Sequence, residues 1–465
     1  MKNILIITEV APPCEIMTAS SKRLEGFARY LPEFGWVPVI LNLQCHCAKG
    51  KPLENDQPWA GSIFLKNTGD IKNLKEKLSH WSEKRALIIR VSPVMGRIRG
   101  LWQLFAELTG ARFRFDDHFG SVTQDLGVKE LPFFLKWSLI PLRKTLSWLS
   151  SSLWNHTDWV KKGSTLAAQL CDDLHIDVIL STSPGLANHV IAYKVSSEKK
   201  IPWVADFRDS IQRKELTHFP ISWRLRFLKK AFCAIHVTPD EAARDRQWIG
   251  RRSFIVENGF LEEDVIESTK DLKSREGIFI LRYFGIVNEF SPLNLFFMGF
   301  KEFIISGAVP FSQVRFEYYG HSIERVEALV KKFGLVTYSE LNPNVSQKDS
   351  TKLMAESTVL IKPIDSRFPG CPGTKFYEYL GVQRPILAAG TEEPYVEAIL
   401  DKTGAGKTGH TASEIAQILR LWHEQFLKTG QLSLDVNQDE IVKYSRRTSA
   451  KKLAGILTSS NMANR

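Results

Sequence analysis

Two α/β domains with doubly wound parallel sheets are the fold this sequence predicts, and three observations carry that expectation. The 465 residues exceed what one hydrophobic core supports, since cores stop growing at about 250–300 residues. Short apolar runs alternate with amphipathic helical stretches in both halves, as βαβ units do. Between the halves, residues 259–277 become polar and highly charged, which marks a linker.

The first strand is NILIIT at residues 3–8, followed by the turn-forming APP. SKRLEGFARYL then sets Leu24, Phe27, Ala28 and Leu31 on one helical face, and WVPVILNL returns as a second strand. From about residue 50 to 160 aromatic and basic residues interleave without a clear period. Afterwards DVILSTS, IPWVADF, CAIHVT and SFIVEN read as buried strands, with AYKVSSEKK, RLRFLKKAF and DEAARDRQW as helices or their ends. The second series runs IFILRYFG, PLNLFFMGFKEFI, VRFEYYG, IERVEALVKKFG, STVLIKPI, TKFYEYLG and PILAAG, strand and helix in turn. Its first helix aligns Leu293, Phe296, Phe297, Phe300 and Ile304 as a core stripe, and a tail from about residue 411 aligns Ile415, Ile418, Leu419 and Trp422.

Composition narrows the partners. Hydrophobic residues at 43% and charged residues at 24% exclude wholesale disorder. Sixty-two Lys and Arg against 51 Asp and Glu give +11, which favours phosphorylated ligands or anionic lipid; no motif supports nucleic acid. Six scattered cysteines (Cys14, Cys45, Cys47, Cys171, Cys233, Cys371) form no disulfide framework and are expected as thiols. Cys45, His46 and Cys47 are adjacent and lack a second ligand pair, so no metal is expected there; Asp116 and Asp117 likewise lack a partner. Glu9 interrupts the apolar run Ile4–Ile7 before it could serve as a signal-peptide core, and no run is long enough to cross a membrane.

Ligands of open α/β sheets bind at the carboxyl ends of strands, so four loops are of interest. The first has no glycine before Gly26, which disfavours a dinucleotide cofactor. Ser20 and Ser21 can cap the following helix there, and Arg23 lies one turn in. STSPGLANHV forms the second and contributes His189. Asp206, Arg208 and Asp209 in ADFRDS make the third; the carboxylates can orient a hydroxyl or stabilise positive charge, and Arg208 can hold a phosphate or carboxylate. In the fourth, DSRFPGCPGTKFYEYLG, Gly370, Pro372 and Gly373 form a bend and Thr374 can cap a helix whose N–H groups suit a diphosphate. Lys375 adds charge, and Glu378, three residues on, can accept bonds from ribose hydroxyls. The alternative is an ordinary Lys–Glu helix pair.

NILIITEVAPP with R-x-x-x-F-A-R-Y-L, STSP with a later His, IPWVADFRD, VENGF, YFG, FEYYG, GTKFYEYLGVQRPILA and TGAG follow one another in an order that resembles the family-four type of nucleotide-sugar glycosyltransferases with the GT-B fold. That resemblance implies two Rossmann-like domains facing a cleft: residues 1–268 on the acceptor side, with a helical insertion about 95–165, residues 269–435 on the donor side, and a C-terminal helix at 436–465 returning to the first domain. It further implies a nucleoside diphosphate sugar held by Gly285, Gly373, Thr374, Lys375, Glu378, Asn258 and Lys362. Asp206, Arg208 and Asp209 would stand at the reacting centre, and Ser20, Arg23 and His189 toward acceptor or phosphate. No metal or other cofactor is expected, and the anomeric configuration would be retained. Two departures stand out: Gly370 occupies the place of a family glutamate, and Gly285 is followed by IVNEFSPLN rather than an Arg and Lys pair.

The acceptor so implied is a glycan or a polyprenyl-diphosphate-linked glycan of bacterial surface polysaccharide synthesis, in the cytoplasm at the inner face of the plasma membrane. Phe133, Phe134, Trp137, Trp148 and Trp154 with Lys136, Arg143 and Lys144 suit an anionic membrane surface; a buried helical pair is the other reading. A GT-B-shaped binding or assembly protein without turnover is the alternative function.

Overall fold

The computed structural model describes residues 1–9, 18–43, 60–65, 78, 85–91, 114–116, 121–123, 155–183, 186–208, 225–250, 252–269, 277–288, 292–364, 370 and 372–462. They form two compact units: Met1–Val237, Glu241–Val256 and Ala450–Arg465 belong to the first, and Thr238–Asp240 and Glu257–Ser449 to the second. The cysteines Cys14, Cys45, Cys47 and Cys371, with His46, Asp117, Asp209 and the aromatic residues between 133 and 154, lie outside the described residues, as do the side chains of Ser20 and Asp116.

The first unit contains β1 (Lys2–Thr8), α1 (Thr18–Tyr30), β2 (Trp36–Leu43), β3 (Ala60–Leu65), β4 (Ala86–Val91), β5 (Arg114–Asp116), β6 (Ser121–Thr123), α2 (Asn155–Asp173), β7 (Ile176–Thr182), α3 (Leu186–Lys199), β8 (Trp203–Phe207), β9 (Cys233–His236), most of α4 (Pro239–Ile249) and β10 (Ser253–Ile255). Eight strands form one sheet, ordered β10-β9-β8-β7-β1-β2-β4-β3, and every pairing in it is parallel. Ile4–Ile7, Val39–Leu41 and Leu87–Ile89 are buried without alternation, because helices cover both faces of a parallel sheet. β5 and β6 pair separately as an antiparallel ribbon.

The second unit contains α5 (Glu262–Thr269), β11 (Phe279–Phe284), α6 (Asn294–Gly307), β12 (Val314–Tyr319), α7 (Ile323–Phe333), β13 (Ser339–Asn342), α8 (Gln347–Ala355), β14 (Val359–Ile364), α9 (Gly373–Val382), β15 (Ile386–Gly390), α10 (Pro394–Thr403), β16 (Gly406–Gly409), α11 (Ala412–Thr429) and α12 (Gln438–Val442). Its sheet, also all parallel, is ordered β13-β12-β11-β14-β15-β16. The stripe on α6 packs into one core with Ile415, Leu419 and Trp422 of α11, as its period implied. A final helix, α13 (Arg446–Met462), passes into the first unit at Ala450, where Trp36 Nε1 donates to Thr458 Oγ1 at 3.3 Å and Cys233 meets Ser460. Burial pushes the free thiols of Cys171 and Cys233 up to about 12, so both stay protonated.

Several elements differ from expectation. The charged segment read as linker holds α5, whose Glu262, Glu263 and Asp264 complement the positive end of the helix dipole. Just before it, Phe260 bridges to Ser445 and packs against Gly381. RLRFLKKAF yields only a 3-10 turn at Arg226–Lys230. β3 and β4 arise within the stretch that showed no period, and β13 and β16 are short strands that no apolar run announced.

At the crossing of α6 and α11, a Cβ on Gly299 would stand 2.5 Å from Ile415 Cβ and 2.8 Å from the carbonyl of Ala412. Gly299→Val is therefore expected to cost about 1–3 kcal/mol by overpacking, read as a lower urea midpoint for the second unit. An unchanged midpoint would show that the helices separate freely there.

Candidate functional site

Near the centre of each sheet the strand order reverses, between β1 and β7 in the first and between β11 and β14 in the second. Crevices for ligands form outside the carboxyl ends of strands at such points. The sequence-derived candidates concentrate at these two edges.

At the first edge Arg23 reaches from α1 to Asp206 on β8. Its Nη2 donates to Oδ1 at 2.9 Å and its Nε to Oδ2 at 3.2 Å. Thr182 Oγ1 donates to Oδ2 at 3.0 Å, while Arg23 Nη1 donates to the carbonyl of Val256 at 2.9 Å. The two charged side chains are 3% and 0% exposed. Asp206, expected at the reacting centre, and Arg23, expected at an acceptor or phosphate, are thus brought together as partners of one another, with almost no surface left for a ligand. Arg208 follows β8 and is also buried. α1 starts at Thr18, so Ser20 and Ser21 lie within its first turn rather than capping it: the backbone is already helical before them.

His189 is an interior residue. Its Nδ1 lies 2.7 Å from Ser181 Oγ, which also accepts from Trp203 Nε1 at 2.7 Å, and its ring packs on Phe207 at 4.8 Å between centroids. Burial lowers its pKa from 6.5 to about 4 against the opposing charge of Asp206, so the imidazole is neutral at pH 7. Asn188 beside it bridges the carbonyl of Thr182 and the indole of Trp159. This polar layer fixes α3 against the ends of β7 and β8.

The second edge is different in kind. α9 begins after Pro372, which supplies neither an N–H nor a side-chain cap, so among the described residues its first N–H groups have no capping side chain. Thr374, expected as the cap, falls second in α9, after Gly373, and the helix start carries no side-chain cap bond. Gly373 has a φ of +72°, and among the described residues nothing lies within 4 Å of the position a Cβ would take. One turn in, Lys375 Nζ donates to Glu378 Oε2 at 2.9 Å and to Ser350 Oγ of α8 at 2.8 Å. The Lys375 side chain is 30% exposed and that of Glu378 only 6%. An ordinary surface pair would be open on both sides; here the carboxylate is sunk and the cation reaches solvent.

β11 and β12 support this group from below. Phe284 N–H donates to Tyr379 Oη of α9 at 3.0 Å, and the Phe284 ring stacks on Tyr319 at 5.1 Å with 11° between planes. Lys375 Nζ lies 5.9 Å from the Phe284 ring centre. Deeper still, Arg282 Nε donates to Glu317 Oε2 at 2.7 Å, and Tyr319 Oη donates to the same oxygen at 3.1 Å. Burial first, then the charge of Glu317, raises Tyr319 to about 12, which keeps it a donor. Gly285 follows at a φ of +149°, and a Cβ on Gly320 would stand 2.2 Å from its carbonyl, so the two loops pass in contact. Lys362 is buried on β14 and donates to the carbonyl of Pro363 at 2.8 Å. Asn258 is half-buried next to Gly259, whose carbonyl accepts from Arg446 Nε at 2.8 Å.

Gly370 has a physical reason to be glycine. Its φ is +71°, and a Cβ there would lie 2.6 Å from Asp240 Cβ and 2.8 Å from Thr238 Oγ1. The side chain that the family resemblance led one to expect has no room. Ser350, Tyr379 and Glu393 were not singled out from sequence. Of these only Glu393 carries a local signal, a polar residue directly before Pro394 at a helix start.

No family model matches the sequence, and no curated protein matches it. Solved structures do share its fold over nearly the whole chain. A glycosyltransferase from Rickettsia africae matches 99% of this chain and 98% of its own at 12% identity, with a TM-score of 0.57. HepE of Anabaena, solved with UDP and glucose, matches 99% and 100% at 14% identity and 0.54. The α,α-trehalose 6-phosphate synthase of Burkholderia multivorans matches 100% and 100% at 11% identity and 0.60. The chain has the GT-B fold of these proteins.

Two measurements follow from the first edge. Asp206→Ala leaves Arg23 buried without its carboxylate and is expected to cost about 3–5 kcal/mol in denaturant unfolding; a loss under about 1 kcal/mol would mean the pair is open to water. The folded-state pKa of His189 lies below its unfolded value, so the unfolded chain takes the proton first. Above pH 6.5 it contributes no pH dependence; between 6.5 and about 4 stability falls with pH, by about 3 kcal/mol in all. His189→Gln should flatten the unfolding midpoint across that window, and equal slopes would refute the assignment.

Proposed function

We propose that this chain is a glycosyltransferase that moves a sugar from a nucleoside diphosphate sugar, with UDP as the favoured nucleotide, to a glycan or lipid-linked acceptor. The observation that carries this reading is the second edge: an uncapped helix start, an open Gly373 and a solvent-reaching Lys375 beside a sunken carboxylate. Free N–H groups, the helix dipole and an ammonium together suit a diphosphate, and a carboxylate one turn on suits paired ribose hydroxyls. UDP is the nucleotide bound by HepE, which shares the fold.

The chemistry proposed is substitution at the anomeric carbon. As the bond to the diphosphate breaks, negative charge gathers on the leaving oxygens, where Lys375 and the α9 N–H groups can stabilise it; no metal is needed for that role. We further infer retention of configuration, with the departing phosphate assisting the acceptor hydroxyl. Asp206 serves in this reading by holding Arg23 and the end of β7 in place. Surface polysaccharide synthesis at the cytoplasmic face of a bacterial membrane is the setting proposed, and the net charge of +11 is in keeping with an anionic surface nearby. A second reading, nucleotide binding without transfer, is favoured by the absence of any side chain at Gly370.

Calorimetric titration with UDP is expected to show saturable binding. Lys375→Ala should weaken it about 10- to 100-fold, corresponding to about 1.5–3 kcal/mol for a charge-assisted hydrogen bond. Glu378→Ala should weaken UDP more than pyrophosphate, since only UDP carries ribose. Failure to bind UDP, GDP and ADP alike would sink the donor reading. Turnover of UDP- and GDP-sugars by the wild type, lost in Glu378→Ala, separates the enzyme from the non-catalytic protein.

A further inference from the structure

We propose that Glu393 is a positioning residue for the donor site: it fixes the Gly370 turn and through it the direction of the first N–H groups of α9. Its action on nucleotide binding rests on the donor reading above; its hold on the turn does not. Glu393 lies at the start of α10, is 3% exposed, and divides its two oxygens between two backbone donors. Oε1 accepts from Gly370 N–H at 2.6 Å, and Oε2 accepts from Val396 N–H at 2.7 Å, capping its own helix. Glu393 N–H in turn donates to Glu397 Oε1 at 2.6 Å, which sets the carboxylate's backbone origin.

The peptide at Gly370 is therefore gripped at both polar ends by side chains distant in sequence, because its carbonyl accepts from Thr238 Oγ1 at 2.9 Å. A backbone at φ +71° with both groups engaged has little freedom, and only two residues separate it from Gly373. Helix N–H groups serve an anion only when they are aimed before it arrives, so an anchor on the incoming turn acts on affinity without touching the ligand. A capping residue needs only a short side chain to reach the third helical N–H. The extra length of Glu393 is what lets its second oxygen span to Gly370.

Glu393→Ser separates the two tasks, since serine caps α10 but cannot reach Gly370. Its thermal midpoint should stay close to wild type, whereas the Gly370 amide should exchange about tenfold faster or more in hydrogen exchange without nucleotide. UDP affinity should fall about tenfold, with Glu393→Gln, which keeps the reach and one acceptor, between serine and wild type. Unchanged Gly370 exchange in the serine variant overturns the proposal, as does faster exchange with wild-type UDP affinity. If the wild type binds no nucleotide, the donor reading fails and with it the effect on affinity, while exchange at Gly370 still decides the anchor.

Discussion

Parallel strand pairing is the constraint on which the rest depends. Two neighbouring strands that run the same way cannot be joined by a tight turn; the chain must cross back, here usually through a helix, before the next strand begins. Each sheet therefore sends its strand-to-helix loops to one edge, and where the order reverses, at β1/β7 and β11/β14, adjacent crossovers lie on opposite faces. Arg23, Asp206 and Thr182 at one edge, and Lys375, Glu378 and Ser350 at the other, are neighbours for this reason although up to 183 residues separate them in the chain.

Charge is held in two different ways at these edges. Arg23 with Asp206, and Arg282 with Glu317, are ion pairs removed from water on both sides; Nη1 of each arginine donates to a backbone carbonyl, while Arg282 Nη2 is buried with no partner among the described residues. Such pairs add little net stability over apolar packing but penalise any arrangement that separates them, so they hold strand ends in register. Lys375 with Glu378 is asymmetric: the acid is buried and the base is not. Two of the ammonium's three donors are used, one by Ser350 and one by Glu378.

Much of this was legible in sequence, because unalternating apolar runs such as NILIIT and STVLIKPI report burial on both faces and the Phe-rich stripe of α6 reports a helix. Lys375 and Glu378 were legible together because a helix brings positions three apart onto one side. Asp206 was visible as a charged residue at a strand end, but its commitment to Arg23 was not, since that pair is a long-range contact with no periodic trace. The same holds for Ser350 and for the bond from Glu393 to Gly370. α5 was missed for a local reason: its acidic first turn has the composition of a linker and the electrostatics of a helix start. Gly370 read as a missing side chain, whereas the space that side chain would need is filled by Asp240 and Thr238.

The return of α13 to the first unit gives this chain a particular order of manufacture. Strands β1 to β10 leave the ribosome long before Thr458 and Ser460, which meet Trp36 and Cys233. At about 5–20 residues per second, translation of Glu257–Ser449 occupies roughly 10–40 s, and throughout that interval the first unit lacks its last helix. The second unit, by contrast, is almost contiguous and can close as soon as α12 emerges. The nascent chain is thus expected to mature from the inside of its sequence outward, with the apolar surface that Leu453 and Leu457 later cover standing open to chaperones until the end.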